Sequence, residues 1–169
     1  MILHTAQGYA YQIDAEDADK VIGIKWHTDN GYLTHTVTKR TEAIFNQPAG
    51  SAVKMHRWIM DAPKDMQVDH INHDRSDNRR SNLRLCTQSE NNCNKPSWAG
   101  QSRYKGVSLR KDSPHKPWRA IVYYGGRKHC LGSYKTEEEA ALAYNEAARQ
   151  YQGEYAVLND VPEALAPVA

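Results

Sequence analysis

From Asn72 to Ser81 the chain runs through ten consecutive positions without one apolar side chain. Such a stretch cannot join a core, so it must be a surface loop. Two short segments frame it, Gln67-Val68-Asp69-His70 and Asn82-Leu83-Arg84-Leu85-Cys86, with the alternation of half-buried strands. Thr87 and Glu90 then stand at capping-box spacing, opening a short helix that Pro96 limits. The pattern therefore predicts strand, polar loop, returning strand and helix within about thirty residues, an extent usual for one supersecondary unit.

The rest of the chain must supply the core for this unit, and it has little to supply it with. Leu, Ile, Val and Phe total 27 of 169 residues, while Trp (4) and Tyr (10) add large burials. Net charge is only +2, so disorder is not expected, and small modules with thin cores are. Ahead of the polar loop, Tyr9 to Ile13 and Ala52 to Met55 read as short strands. Asp14 stands where it can N-cap a short helix. Asn30-Gly31, between Ile24-Lys25-Trp26-His27 and Tyr32 to Val37, predicts a β-hairpin. A short helix is expected over residues 56–60.

Behind it, Lys95 to Ser102 has the Pro, Gly and Ser content of a linker. Three strand-like segments follow, Gly106 to Arg110, Trp118 to Tyr124 and Lys128 to Gly132, with Gly125-Gly126 turning the second into the third. Thr136 and Glu139 form another capping box for a helix carrying Ala140, Tyr144, Ala147 and Tyr151 on one face and closed by Gly153. The expected class is α+β: a domain over residues 1–95, a linker over 96–102, a three-stranded sheet with one helix over 103–160, and a fraying tail over 161–169. No secretory signal or membrane span is expected, and the three cysteines, without a C-x-x-C pair, point to a reducing, intracellular compartment and away from structural zinc.

Charge is distributed unevenly. Between Arg103 and Tyr134 eight basic residues face Asp112 alone, a local polyanion-binding signature. The chemistry of the polar-loop unit is of another kind. Asp69 and His70 are adjacent at a strand end, the hairpin return brings Asn82 opposite, and Asn91 lies on the following helix. His70 suits a general base acting on water. The Asp69 carboxylate and the Asn91 amide oxygen are hard donors suited to Mg²⁺, with Mn²⁺ as the alternative. A metal held there would neutralise charge on a phosphodiester. Taken singly, each of these residues fits an ordinary polar surface or turn; as a spaced set they point to a site.

The run from Val68 to Arg84, followed by Ser89-Glu90-Asn91-Asn92-Cys93-Asn94-Lys95, resembles the HNH endonuclease motif of phage and intron-encoded homing endonucleases. His56-Arg57-Trp58-Ile59 resembles that family's preceding helix. The resemblance implies a ββα-metal fold, with His70 as general base, Asp69 and Asn91 as ligands of one divalent ion, and Asn82 fixing His70 and the loop; His73 and Asn78 match the motif's loop. The pattern Ser102 to Val107, Trp118-Arg119-Ala120, Leu131 to Tyr134 and Thr136 to Ala148 is similar to the APETALA and ethylene-response-factor DNA-binding domain. That resemblance implies a sheet lying in the major groove. Lys105, Ser108 and Arg110, Ile121 and Tyr123, and Lys128 and Cys130 would then face double-stranded DNA, with Arg119 and Arg127 gripping phosphates. Trp118 is expected in the core.

The expected function is a site-directed, metal-dependent DNA endonuclease of the homing type. The alternative is a DNA-binding transcription regulator whose HNH-like unit is inactive. An RNA-binding module is disfavoured, because no strand shows closely spaced exposed aromatics.

Overall fold

The computed structural model describes residues 1–96 and 101–162. The linker reading therefore falls partly, and the tail reading mostly, outside the described residues. The chain separates into two units, the first ending at Thr87 and the second opening at Gln88.

The first unit contains, in chain order, β1 (Ile2–His4), β2 (Ala10–Gln12), α1 (Ala18–Val21), β3 (His27–Asp29), β4 (Tyr32–Thr36), α2 (Glu42–Phe45), β5 (Ala52–Lys54), α3 (Met55–Ile59), β6 (Gln67–His70) and β7 (Leu83–Cys86). All three of its sheets are small and antiparallel: β1-β2, β3-β4-β5 and β6-β7. Asn30 and Gly31 sit at positive φ (48° and 78°) between paired Asp29 and Tyr32. That is the tight two-residue turn the Asn-Gly pair predicts. One core joins the sheets: Ile13, Val21, Trp26, Leu33, Val37, Met55 and Ile59 cluster with Val68 and Leu83. The first 55 residues thus supply the hydrophobic backing that β6 and β7 lack.

The loop from Asn72 to Ser81 is polar, as expected, but it is not loosely held. Gln12 N donates to Ser76 O (2.9 Å), Asn78 N donates to Gln12 O (2.8 Å), and Gln12 bridges Asp77 in parallel. Asp14, expected to cap a helix, instead accepts from Arg80 N (2.8 Å) and makes no side-chain cap bond. Arg80 also forks onto both oxygens of Asp17 (2.9 and 2.7 Å). The first segment of the chain thus clasps the loop through backbone and charge together.

The second unit holds α4 (Gln88–Cys93), β8 (Val107–Leu109), β9 (Trp118–Tyr124), β10 (Arg127–Tyr134) and α5 (Glu137–Gln152). Helix α4 goes with this unit, so the boundary lies eight residues earlier than position 95; its Cys93 lies against β9, where the thiol reaches Tyr123 O (3.8 Å). The sheet has the order β10-β9-β8, with β9 in the middle. Ala120 and Val122 of β9 are fully buried, and Val122 meets Tyr144, Ala147 and Ala148 of α5 in a small core. The capping box is formed: Glu139 N donates to Thr136 Oγ1 (3.1 Å) and Thr136 N donates to Glu139 Oε2 (3.3 Å). Trp118, expected in the core, is half-buried, and Tyr151 is exposed and stacks on Tyr124 with ring centroids 4.8 Å apart. Gly106, at φ 74°, leaves room for α5; a Cβ there would lie 2.1 Å from the Tyr144 ring.

No helix among the described residues is long and apolar enough to cross a membrane.

Candidate active site

β6 and β7 pair in a register that sets Asp69 opposite Arg84 and His70 opposite Leu83. Both site residues of β6 are buried. Arg84 donates from Nε (3.1 Å) and Nη2 (2.9 Å) to the same Asp69 oxygen, Oδ2. A cross-strand guanidinium thus orients the carboxylate at the strand end. The pair is largely out of water, with side-chain exposures of 9% and 11%, so it is held far more firmly than a surface ion pair.

His70 Nε2 lies 3.4 Å from Asn78 Oδ1. The amide of Asn78 is itself oriented, because its Nδ2 donates to Arg75 O (3.3 Å) and Ser76 O (3.2 Å). With the amide nitrogen committed to two carbonyls, Oδ1 can only accept. Nε2 of His70 then carries the proton and Nδ1 the lone pair. Burial holds the His70 pKa below its ordinary value of 6.5, against the opposing pull of Asn78 and Asp69. The imidazole is therefore neutral at neutral pH, the state a base requires.

Asn82 lies in the turn just before β7 and accepts from Asn72 N (3.0 Å) through its Oδ1, while its Nδ2 donates to Asp77 O (2.8 Å). Ile71 N donates to Asn82 O (2.9 Å). Asn82 thus closes both ends of the polar loop on itself, and Asn78 is the amide whose bond to the His70 ring is seen. Asp77 and Asn78 are 3% and 1% exposed, so the loop has a buried polar interior. Asn91 stands on α4, half-buried, in the second unit.

A second imidazole lies beside the first. His56 of α3 packs edge-on against His70, ring centroids 5.0 Å apart, and both lie near the Tyr32 ring, at 5.1 and 6.1 Å. Burial, with the charges of His70, Lys54, Arg57 and Arg75 adding to it, lowers the His56 pKa to about 3. Sequence reasoning singled out Asp69, His70 and Asn82, and matched His73 and Asn78 to the motif's loop. Arg84 could have been found from hairpin register, as an opposite charge facing Asp69. Tyr32 and Arg75 carry no local signal, since only folding sets the first hairpin against the loop.

The Asp69 carboxylate belongs to the first unit and the Asn91 amide to the second; each by itself is a donor of the kind a hard divalent ion takes. A separate acidic group, Asp14, Glu16 and Asp17, has ligand oxygens within 4.8 Å of one another, and Arg80 already pairs with Glu16 and Asp17 there.

In the second unit the strand register sorts side chains onto two faces. Ser108, Arg119, Ile121, Tyr123, Lys128 and Cys130 share the face opposite α5. Tyr123 is 60% exposed there, and Lys128 and Arg127 are exposed. Arg119 Nε donates to Cys130 Sγ (3.2 Å), which lowers the thiol pKa. Arg110 follows β8 and pairs with Asp112. Lys105 precedes β8 and is turned inward: its ammonium donates to Cys93 O, and burial lowers its pKa to about 8.

Residues 53–93 match the family model described as HNH endonuclease. An uncharacterized HNH endonuclease of Acanthamoeba polyphaga mimivirus is 37% identical over 115 residues, covering 64% of this chain and 58% of the viral protein. An AP2-like ethylene-responsive transcription factor of Arabidopsis thaliana is 42% identical over 62 residues, covering 36% of this chain and 17% of its own. An AP2/ERF and B3 domain-containing transcription repressor of the same plant is 40% identical over 58 residues, or 34% and 15% of the two chains. The chain thus spans less than two thirds of the length of each of these relatives. No solved structure matches it. The segment that places His70 and Asp69 at the end of β6, Asn82 before β7 and Asn91 on α4 is the part of the chain that matches the HNH endonuclease family.

Proposed function

We propose that this protein is a metal-dependent DNA endonuclease that hydrolyses phosphodiester bonds, with His70 as general base and the second unit's sheet as its DNA-docking surface. The observation that carries this reading is the buried His70, its tautomer set by Asn78, beside the oriented carboxylate of Asp69 in a segment matching an endonuclease family. With its lone pair on Nδ1, His70 would take a proton from the attacking water. Asn82 holds the loop that holds Asn78, and so acts on His70 through it. Asp69 and Asn91 would hold one divalent ion, Mg²⁺ or Mn²⁺. When bound, that ion offsets the negative charge that gathers on the phosphodiester and its leaving oxygen. The homing type is the biological role that best joins such a nuclease to a second DNA-reading surface.

Double-stranded DNA would meet the face bearing Ser108, Arg119, Tyr123 and Lys128, with Arg110 and Arg127 at its margins. A ribbon of strands fits the major groove, and its cations supply affinity that falls with salt. Lys105, spent on Cys93 O, contributes to the fold of that surface and its charge to the general field.

The test is supercoiled plasmid incubated with Mg²⁺ or with EDTA. Nicking or linearisation that needs the ion and falls at least about 10²-fold in His70→Ala, with DNA binding nearly intact, supports the nuclease. The similarity to plant transcription factors favours a second reading, a DNA-binding regulator with an inactive HNH-like unit. Intact plasmid together with tight, salt-sensitive binding would select it.

A further inference from the structure

Two exposed cations stand over one aromatic ring next to the imidazole pair. Lys54 Nζ lies 4.5 Å from the Tyr32 ring centroid, and the Arg75 guanidinium carbon lies 4.3 Å from it. The same ring is 6.1 Å from that of His70. The folding of the first unit brings this about from three directions. Lys54 ends β5 and pairs with Thr34 of β4, which places it on the same sheet face as Tyr32, two residues away. β5 runs straight into α3, which carries His56. Arg75 comes from the polar loop and is anchored by donating from Nη1 to Asn30 O (2.7 Å) in the β3–β4 turn. The turn is shaped for it, since a Cβ on Gly31 would lie 3.3 Å from that same Nη1.

Neither cation has an acidic partner among the described residues, whereas Arg79, Arg80 and Arg84, on and just after the same loop, are all paired with aspartates. Two positive charges thus share one aromatic ring without a counter-charge among the described residues, one of them also anchored by a backbone carbonyl, and the ring they share lies 6.1 Å from that of the candidate base. Exposed cations held in place with no acidic partner present a positive field to solvent, and an anion is the ligand that such a field attracts.

We infer that Lys54 and Arg75, seated on Tyr32, form a phosphate-binding site that receives a backbone phosphate of the DNA strand presented to His70. This rests on the nuclease reading for the identity of the anion. It gives the N-terminal segment a role in substrate binding beyond its support of the core. Arg75 offers its remaining guanidinium donors to phosphate oxygens, and Lys54 acts as a point charge.

The experiment compares wild type, Lys54→Ala, Arg75→Ala and His70→Ala. It measures the salt dependence of binding to a DNA duplex and the single-turnover nicking rate at saturating duplex. Each of the two seat variants should lower the slope of log affinity against log salt by about one, since one phosphate contact is lost. Each should also lower the nicking rate at saturation by about tenfold or more, since the lost charge acts where charge develops. Because both residues are exposed, Lys54→Ala should keep the thermal midpoint within about 2 °C of wild type, and Arg75→Ala, which also loses its bond to Asn30 O, should lower it by at most about 4–8 °C. Unchanged slope and unchanged nicking in both seat variants, with nicking abolished in His70→Ala, would overturn the phosphate site and leave the nuclease standing. No nicking by wild type, but a slope that drops in both variants, would keep the anion site and overturn the nuclease. No nicking and no change of slope would overturn both.

Discussion

At the scale of single residues, the site is governed by how amides are spent. Asn78 matches the motif's loop by resemblance, but only the fold shows that its side chain fixes which nitrogen of His70 carries the proton. Replacing it with Ala should cost about 1–3 kcal/mol, because buried hydrogen bonds are left unmade, and should slow nicking. Asn78→Asp should instead give Nε2–H a charged acceptor, raise the His70 pKa and move the acid side of the pH–rate profile to higher pH. A profile that shifts the other way would contradict the tautomer assigned here. His56 makes a prediction about stability. Free in the unfolded chain, its imidazole takes up a proton near 6.5, but in the fold only near 3. Between those values the unfolded state binds more protons, so the contribution is complete above about pH 6.5 and is lost as the pH falls toward 3. Urea unfolding at pH 7.5 and 4.5 should show wild type losing about 2–3 kcal/mol more than His56→Phe over that range.

Elements show where local signals were sufficient. The Asn30-Gly31 turn and the Thr136/Glu139 capping box were legible because each depends on residues within four positions of one another. Thr136→Ala should lower stability by about 1 kcal/mol through loss of the bond to Glu139 N, measured as a lower unfolding midpoint reported by the second unit. Gly106→Ala should be far worse. It combines a backbone at φ 74° with a Cβ 2.1 Å from the Tyr144 ring, and retained helix α5 packing by near-UV dichroism would count against this account. Asp14 shows the opposite lesson. Its capping signature was real in the sequence, but a distant arginine, Arg80, and its backbone N–H gave the carboxylate and its neighbour Asp17 a better use.

Across the whole molecule, the division at Thr87 and Gln88 separates the strand bearing Asp69 and His70 from the helix bearing Asn91. The two functions expected of the chain can therefore be dissected by surface changes. Arg119→Ala with Lys128→Ala should weaken duplex binding and reduce its salt slope by up to about two, while leaving the nicking rate at saturating DNA close to wild type. An equal fall in both quantities would mean the sheet also positions the scissile bond.

By itself the sequence determined the strand–loop–strand–helix order around residues 67–93, the hairpin and cap chemistry, and the adjacency of Asp69 and His70, because those depend on short-range periodicity and on covalent neighbours. Tertiary structure alone decided that the first 55 residues would back β6 and β7. It also decided that Arg84 would hold Asp69, that Lys105 would turn inward, and that Lys54 and Arg75 would meet over Tyr32. Those outcomes rest on burial and charge pairing between residues far apart along the chain, which no local pattern encodes.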